Sequence, residues 1–420
     1  MKVLRSISGP LAAIVLLLVI AENGHAYGQT LLNQQRVYVM ANRADGNTIL
    51  VYHRTAEGDL SLIAEVSTGG LGSGPGELPA PFPIGIPAGN PLTTQDNLVL
   101  TENGRFLLTV NAGSNDISVL AVTNDGLELV DRAPSGGDVP VSIAQHGKLV
   151  YVINEGELSA DELGKVPSMT GYFIDQNGHL TPIPNSFRIT GSPDAQPAEL
   201  LFSPDGNWLF ITDKFAETFI HVLQVNGDGT TQDVRNYVAN VPAPFGAAFT
   251  HDHILAVTEA NAKFINGQRA GVPNGASVST YQFNPKDGTM TPISLSVGTL
   301  QTVSSYIRFT PDGRFAFVSG KGSGAMSSFT VSPNGEITLL QSTAALTGGT
   351  FSEPIDEDIT PDGKFLYVVT PMAALGNTFF LPIPSNAAAV MGYRIGEDGS
   401  LTPVTRVDGL PLSAVGVVAR

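Results

Sequence analysis

Cysteine is absent from this 420-residue chain, so no disulfide can staple the fold and stability must come from packing and strand pairing. The same absence excludes a lipid anchor attached through cysteine. Positive charge is scarce: 22 Lys plus Arg stand against 38 Asp plus Glu, a formal charge of −16. Such a surface repels nucleic acid and anionic lipid, so neither is an expected partner. It also disfavours a heavily phosphorylated substrate unless the few cations converge on one pocket. Charged residues of both signs make up 14% of the chain, well below the usual quarter. Long apolar runs are missing apart from Leu11 to Ile20. Ten residues fall short of the roughly 20 that a spanning helix needs, so stable membrane insertion is not expected. With Lys2 and Arg5 before that run and Gly24-His25-Ala26 after it, residues 1–26 read as a secretory signal cut after Ala26. The expected location is periplasmic or secreted.

Glycine and turns, by contrast, are abundant. One small turn recurs seven times: Glu57-Gly58-Asp59-Leu60, Asn124-Asp125-Gly126-Leu127, Gln176-Asn177-Gly178-His179, Gly227-Asp228-Gly229-Thr230, Lys286-Asp287-Gly288-Thr289, Pro333-Asn334-Gly335-Glu336 and Glu397-Asp398-Gly399-Ser400. A second series interleaves with it: Asn103-Gly104, His146-Gly147, Asp205-Gly206, Asp252-His253, Asp312-Gly313 and Asp362-Gly363. Apolar, β-branched runs separate the turns, as tight hairpins require. Each unit therefore reads as four strands, A to D, with the second series joining A to B and the first joining C to D. The first unit starts directly at its B strand, Val37-Tyr38-Val39-Met40, and the chain ends in an unpaired strand, Ala414 to Ala419. Placing that last strand as strand A of blade 1 gives an all-β, seven-bladed β-propeller over 37–420, with four antiparallel strands per blade and no open edges.

The topology puts A–B and C–D turns on one rim, all of them tight. The insertions fall on the other rim: Thr68 to Asp96, Asn154 to Pro167, Ala260 to Gly275, Gln341 to Pro354 and Pro371 to Ala388. Long loops on one face of a rigid scaffold are the usual places for binding and catalysis. Polar groups converge on the axis from the inner strands, at Asp96, Glu199, Arg308 and Asp356-Glu357-Asp358, and from the ends of the B strands, at Asn111, Asn154, Asp213 and Glu259. Glu155, Lys214 and Lys321 adjoin them. A charge at the centre of a propeller must face the tunnel or find a partner. Glu199 and Arg308 fit a carboxylate base and a guanidinium that supports an oxyanion, or a structural ion pair between blades. Asn and Asp at strand ends also cap their own backbone. The histidines form no cluster, and no HExxH, zinc or complete calcium-loop pattern is present. No cofactor is expected; Ca²⁺ or Mg²⁺ could be held only by oxygen ligands, Glu357 and Asp358 with Glu259 or Asp213.

The segments Phe202-Ser203-Pro204-Asp205-Gly206, Phe309-Thr310-Pro311-Asp312-Gly313-Arg314-Phe315 and Ile359-Thr360-Pro361-Asp362-Gly363-Lys364-Phe365, together with Val110-Asn111-Ala112-Gly113-Ser114-Asn115-Asp116, resemble the propeller lactonase family. That family includes the bacterial 6-phosphogluconolactonases of the propeller type and the fungal carboxymuconate-lactonizing enzymes. The resemblance implies hydrolysis of a lactone ester without a cofactor. Active members place histidines before one Pro-Asp-Gly turn, Arg-His before the next, and Asn-Arg-Gly after a later B strand. This chain reads Gln196-Pro197-Ala198-Glu199, Ala243-Pro244-Phe245-Gly246 and Ser319-Gly320-Lys321-Gly322 there. The scaffold thus carries over better than phosphogluconolactone hydrolysis does.

Two functions are open at this point. One is an exported lactonase-like hydrolase, with Glu199 and Arg308 catalytic and Lys321, Glu259, Asp213, Asn154 and Asn111 binding a small-molecule lactone. The other is a non-catalytic cell-envelope propeller that grips a ligand or protein through its loop-rich rim, using the apolar stretches Pro79 to Pro91 and Phe379 to Pro384. Either would act as a monomer.

Overall fold

The structure is a computed structural model that describes residues 35–74, 76–77, 87–88, 92–156, 166–192, 195–214, 218–265, 268–348, 353–371 and 388–420. Residues 1–26, expected from the sequence to be a secretory signal, lie outside the described residues, as do the stretch Phe379 to Pro384 and nearly all of Pro79 to Pro91. Among the described residues no helix is long and apolar enough to cross a membrane.

Seven antiparallel sheets follow one another along the chain, each of four main strands. From the axis outward, blade 4 has Pro197–Phe202, Trp208–Asp213, Phe219–Val225 and Thr231–Val238, and blade 6 has Ser304–Phe309, Phe315–Gly320, Ala325–Val331 and Ile337–Leu346. The second strand of both blades is buried along its whole length, whereas the fourth is half-exposed. That gradient is why the B runs are continuously apolar and the D runs alternate.

Blade 1 closes the circle. Val415–Ala419 pairs antiparallel with Arg36–Met40, Tyr38 opposite Val418 and Val39 opposite Val417. The inner strands then touch in an unbroken ring: Val415–Ala419, Leu98–Leu100, Pro140–His146, Pro197–Phe202, Pro244–Phe249, Ser304–Phe309, Asp356–Ile359 and back to the first. The repeated glycine turn has a role beyond the hairpin. Gly58 takes φ +101° and lies so close to Phe365 of blade 7 that a Cβ there would come within 2.5 Å of the ring. The Tyr367 hydroxyl donates to the Gly58 carbonyl at 2.7 Å. Only glycine gives both the left-handed backbone and the close approach, so the turn motif also stitches neighbouring blades together.

Two features of the loop-rich rim went beyond the repeat pattern. The insertion within blade 5 forms a small hairpin of its own, Ala262–Ile265 against Gln268–Gly271. The connection from blade 1 to blade 2 does not stay on the rim; its last residues run inward across the inner strands of blades 3 and 4. The Thr94 hydroxyl donates to the Val141 carbonyl at 2.7 Å, and the Gln95 N–H donates to the Ala198 carbonyl at 3.1 Å.

Candidate active site

Arg308 stands near the end of the inner strand of blade 6, one residue before the Phe309-Thr310 start of its A–B turn. Its guanidinium donates to the Asp96 carboxylate, which arrives from the far side of the axis, 212 residues away in sequence. The Arg308 Nε also lies 3.7 Å from Asp358 Oδ1 on the inner strand of blade 7. The Arg308 side chain is 19% exposed, and Asp96 and Asp358 are each 24% exposed. Asp96 takes a left-handed backbone, φ 58°, which a short polar side chain tolerates; that kink carries the chain from the axis into blade 2.

Behind this trio lies a buried layer. Glu199 is fully buried; its Oε1 accepts from Gln95 Nε2 at 3.0 Å, and its Oε2 accepts from the Ala247 N–H of blade 5. Burial pushes the Glu199 carboxyl well above the usual carboxylate range, and the neighbouring Asp96 charge adds to this. Arg308 and the Ala247 N–H oppose the shift without reversing it. Asp358 is raised by burial to about 6 and Asp356 to about 8, again against the pull of Arg308. For Arg308 itself, burial works to lower the pKa, but the surrounding carboxylates, Asp96 foremost, overcome it and raise it. Asp358 Oδ2 also accepts from the Ala419 N–H at 2.8 Å and Asp356 Oδ2 from the Val417 N–H at 3.0 Å. The closing strand thus holds both carboxyls in place.

Chemically, the trio offers a fixed guanidinium, an adjacent carboxylate that titrates near neutrality, and a second carboxylate sharing a hydrogen bond with a buried acid. Those are the elements of oxyanion support and general acid–base work. Among the described residues no group of three or more His, Asp or Glu is placed to hold a metal ion.

The remaining positions singled out by the sequence sit near the loop-rich ends of their blades. Glu259 accepts from the Ser277 hydroxyl at 2.5 Å, the Ser279 hydroxyl at 2.9 Å and the Val241 N–H at 3.2 Å. Asn111 donates to Asp116 and Ser118, each at 2.7 Å, and accepts from Asn47 at 2.9 Å and Thr68 at 2.7 Å. Asn154 donates to the Ser135 and Ser168 carbonyls, both at 3.3 Å. Asp213 bonds His221 Nε2 at 2.6 Å, and the other ring nitrogen meets Asn236 Oδ1 at 2.9 Å. Lys321 lies 3.5 Å from Glu353. These contacts knit single blades or adjacent blades, the role open to Asn and Asp at strand ends.

Two arrangements escaped the sequence reading. Lys214, buried, lies 3.4 Å from Glu155 and over the Phe245 ring, 5.4 Å from its centroid. Phe245 in turn meets Tyr306 edge-to-face at 5.7 Å. Glu155 and Lys214 were visible as charges beside B-strand ends, but nothing in their spacing announced that they pair. Gln95 carried no signal at all, being one polar residue in a long connection.

The sequence model of the family described as "Lactonase, 7-bladed beta-propeller" matches residues 87–160 and 274–375. Over those residues the chain is similar to the lactonase-family propellers. A proposed 6-phosphogluconolactonase of Bacteroides uniformis superimposes on 92% of this chain and 100% of its own, with a TM-score of 0.63 and 18% identity. The periplasmic gluconolactonase of Pseudomonas aeruginosa covers 72% of this chain and 83% of its own, with a TM-score of 0.56 and 20% identity. At those identities the two structures establish the fold. An uncharacterised protein of Staphylococcus saprophyticus is 22% identical over 161 residues, spanning 37% of this chain and 44% of that protein's length. Where active members of the lactonase family carry Arg-His, this chain places Phe245, whose ring packs against Tyr306 and Lys214.

Proposed function

We propose that this lactonase-family propeller is an exported hydrolase that opens a small, unphosphorylated lactone at the Arg308 cluster. The observation that carries the reading is the partly exposed Arg308 guanidinium held between two partly exposed carboxylates, Asp96 and Asp358, at the axis. Arg308 supports the carbonyl oxygen as negative charge develops. Asp358, titrating at about 6, takes a proton from the attacking water. As the new C–O bond forms, the bond from carbonyl carbon to ring oxygen breaks. That ring oxygen receives a proton from the hydrogen-bonded Asp96–Glu199 pair, and the product is the ring-opened hydroxy acid. Glu199, expected from sequence as the base, acts in this scheme through Asp96. A net charge of −16 and the carboxylates around Arg308 weigh against phosphorylated substrates.

The test is a hydrolysis panel of sugar and aliphatic lactones with Arg308→Ala, Asp358→Asn and Glu199→Gln. Arg308→Ala is expected to lower kcat/KM by about 100-fold or more, the size seen when an oxyanion donor is lost. No turnover on any lactone, or unchanged turnover in all three variants, contradicts the reading. Export is tested separately by N-terminal sequencing of the mature protein, expected to begin at Tyr27; an intact Met1 in the extracytoplasmic fraction contradicts cleavage.

A further inference from the structure

The inner strands share a gradient that the loop distribution does not suggest. In blades 2 to 6 each inner strand is buried where it leaves the loop-rich rim, and its last one or two residues, beside the A–B turns, are half-exposed. Arg308 lies in that part, and Asp96, from the inward connection, and Asp358, on the inner strand of blade 7, are each partly exposed beside its guanidinium. A cavity of about 230 Å³ opens beside Asp96 and is lined by Glu102, Gln145, His146, Phe202 and Pro204, residues at or next to the A–B turns. That volume is below the roughly 300–1,000 Å³ of drug-sized sites and suits a small ligand.

Gln95 lies across the other end. It comes from the blade 1–2 connection, yet its side chain bonds three other blades: Nε2 donates to Glu199 Oε1 of blade 4 and to the Ala247 carbonyl of blade 5, both at 3.0 Å, and Oε1 accepts from the Ile307 N–H of blade 6 at 3.2 Å. Two acceptors against the amide nitrogen and a donor against its oxygen fix the orientation of the amide. The backbone is shaped to receive it, since a Cβ at Gly246 would lie 2.3 Å from Gln95 Oε1. Gln95 is itself fully buried. One side chain thus spans the axis, with every hydrogen-bonding group used.

We propose that the axial channel is a blind pocket: its ligand reaches Arg308 through the tight-turn rim, and Gln95 is the floor that separates it from the loop-rich rim. This rests on the hydrolase reading only for which ligand is taken; the route is a property of the fold.

The natural absence of cysteine makes the route measurable without any substrate. Asp358→Cys, introduced alone, is labelled with a small methanethiosulfonate reagent, and the rate is compared after adding a bulky side chain on either rim. Gln145→Trp, beside the cavity, is expected to slow labelling at least tenfold; Lys321→Trp, on the loop-rich rim, is expected to leave it within twofold. Removing the floor with Gln95→Ala is expected to make labelling insensitive to Gln145→Trp. Gln95→Met, which keeps the length without the hydrogen bonds, replaces it if Gln95→Ala does not fold by circular dichroism. Slowing by Lys321→Trp instead, or no slowing by either, overturns the proposal, and it does so whether or not any lactone is hydrolysed.

Discussion

Asp356 and Asp358 show how one short strand sets a pH response. Both are carboxyls raised by burial, to about 8 and about 6, against about 4 for an unfolded chain. The folded state therefore binds protons more tightly between those values. Their contribution to stability is full below about pH 4 and is lost as pH rises through 6 and 8. Glu199 and Glu357, also raised by burial, act in the same sense. Turn carboxylates such as Asp312, lowered to about 2 by Thr310 and Arg314 hydrogen bonds in spite of burial, act oppositely and lose their contribution only as pH falls towards 2. Urea melts are thus expected to show greater stability at pH 5 than at pH 8, and Asp356→Asn is expected to flatten that slope; a slope unchanged in the variant would refute the assignment. At this scale the sequence exposed Glu199, Arg308, Asp96 and the acidic triplet as charges in apolar strands. It did not expose Gln95, because an uncharged residue at the end of a long connection carries no pattern. Nor could spacing show that Arg308 meets Asp96, since only the closed circle brings residues 212 apart together.

Strands and turns were the most legible level. Asp-Gly turns mark hairpins for a steric reason, and a missing first A strand plus an extra last strand leave one consistent pairing, which is the one observed. Inside that pairing, Gly416 takes φ +70° and faces Asn97, whose Oδ1 would lie 2.2 Å from a Cβ. Gly416→Ala should destabilise the protein by ~1–3 kcal/mol, the scale of a forced left-handed residue, as read by urea denaturation. A change under about 0.5 kcal/mol, typical of surface substitutions, would show that the closing strand tolerates the strain. Removing residues 411–420 should be far more damaging. It leaves Arg36–Met40 with a bare edge and takes away the N–H groups that hold Asp356 and Asp358. A truncated chain that stays monomeric in size-exclusion chromatography with an unshifted melting temperature would contradict that view. Less legible were the small hairpin in the blade 5 insertion, a local pairing inside a long connection, and the inward course of residues 92–97, settled by contacts with other blades.

Across the whole molecule, the count of turns, the ring of inner strands and the family match agree on a seven-bladed propeller. Loop lengths alone pointed to one rim as the functional face. The exposure of the charged trio, decided by where the axis is filled, points to the other. The closest test of this account is a crystal structure with an unreactive lactam analogue of the lactone hydrolysed fastest. The account predicts the lactam carbonyl within hydrogen-bond distance of the Arg308 guanidinium, on the tight-turn side of Gln95. An analogue bound instead among the loops near Lys214 or Lys321, with Arg308 untouched, would contradict it.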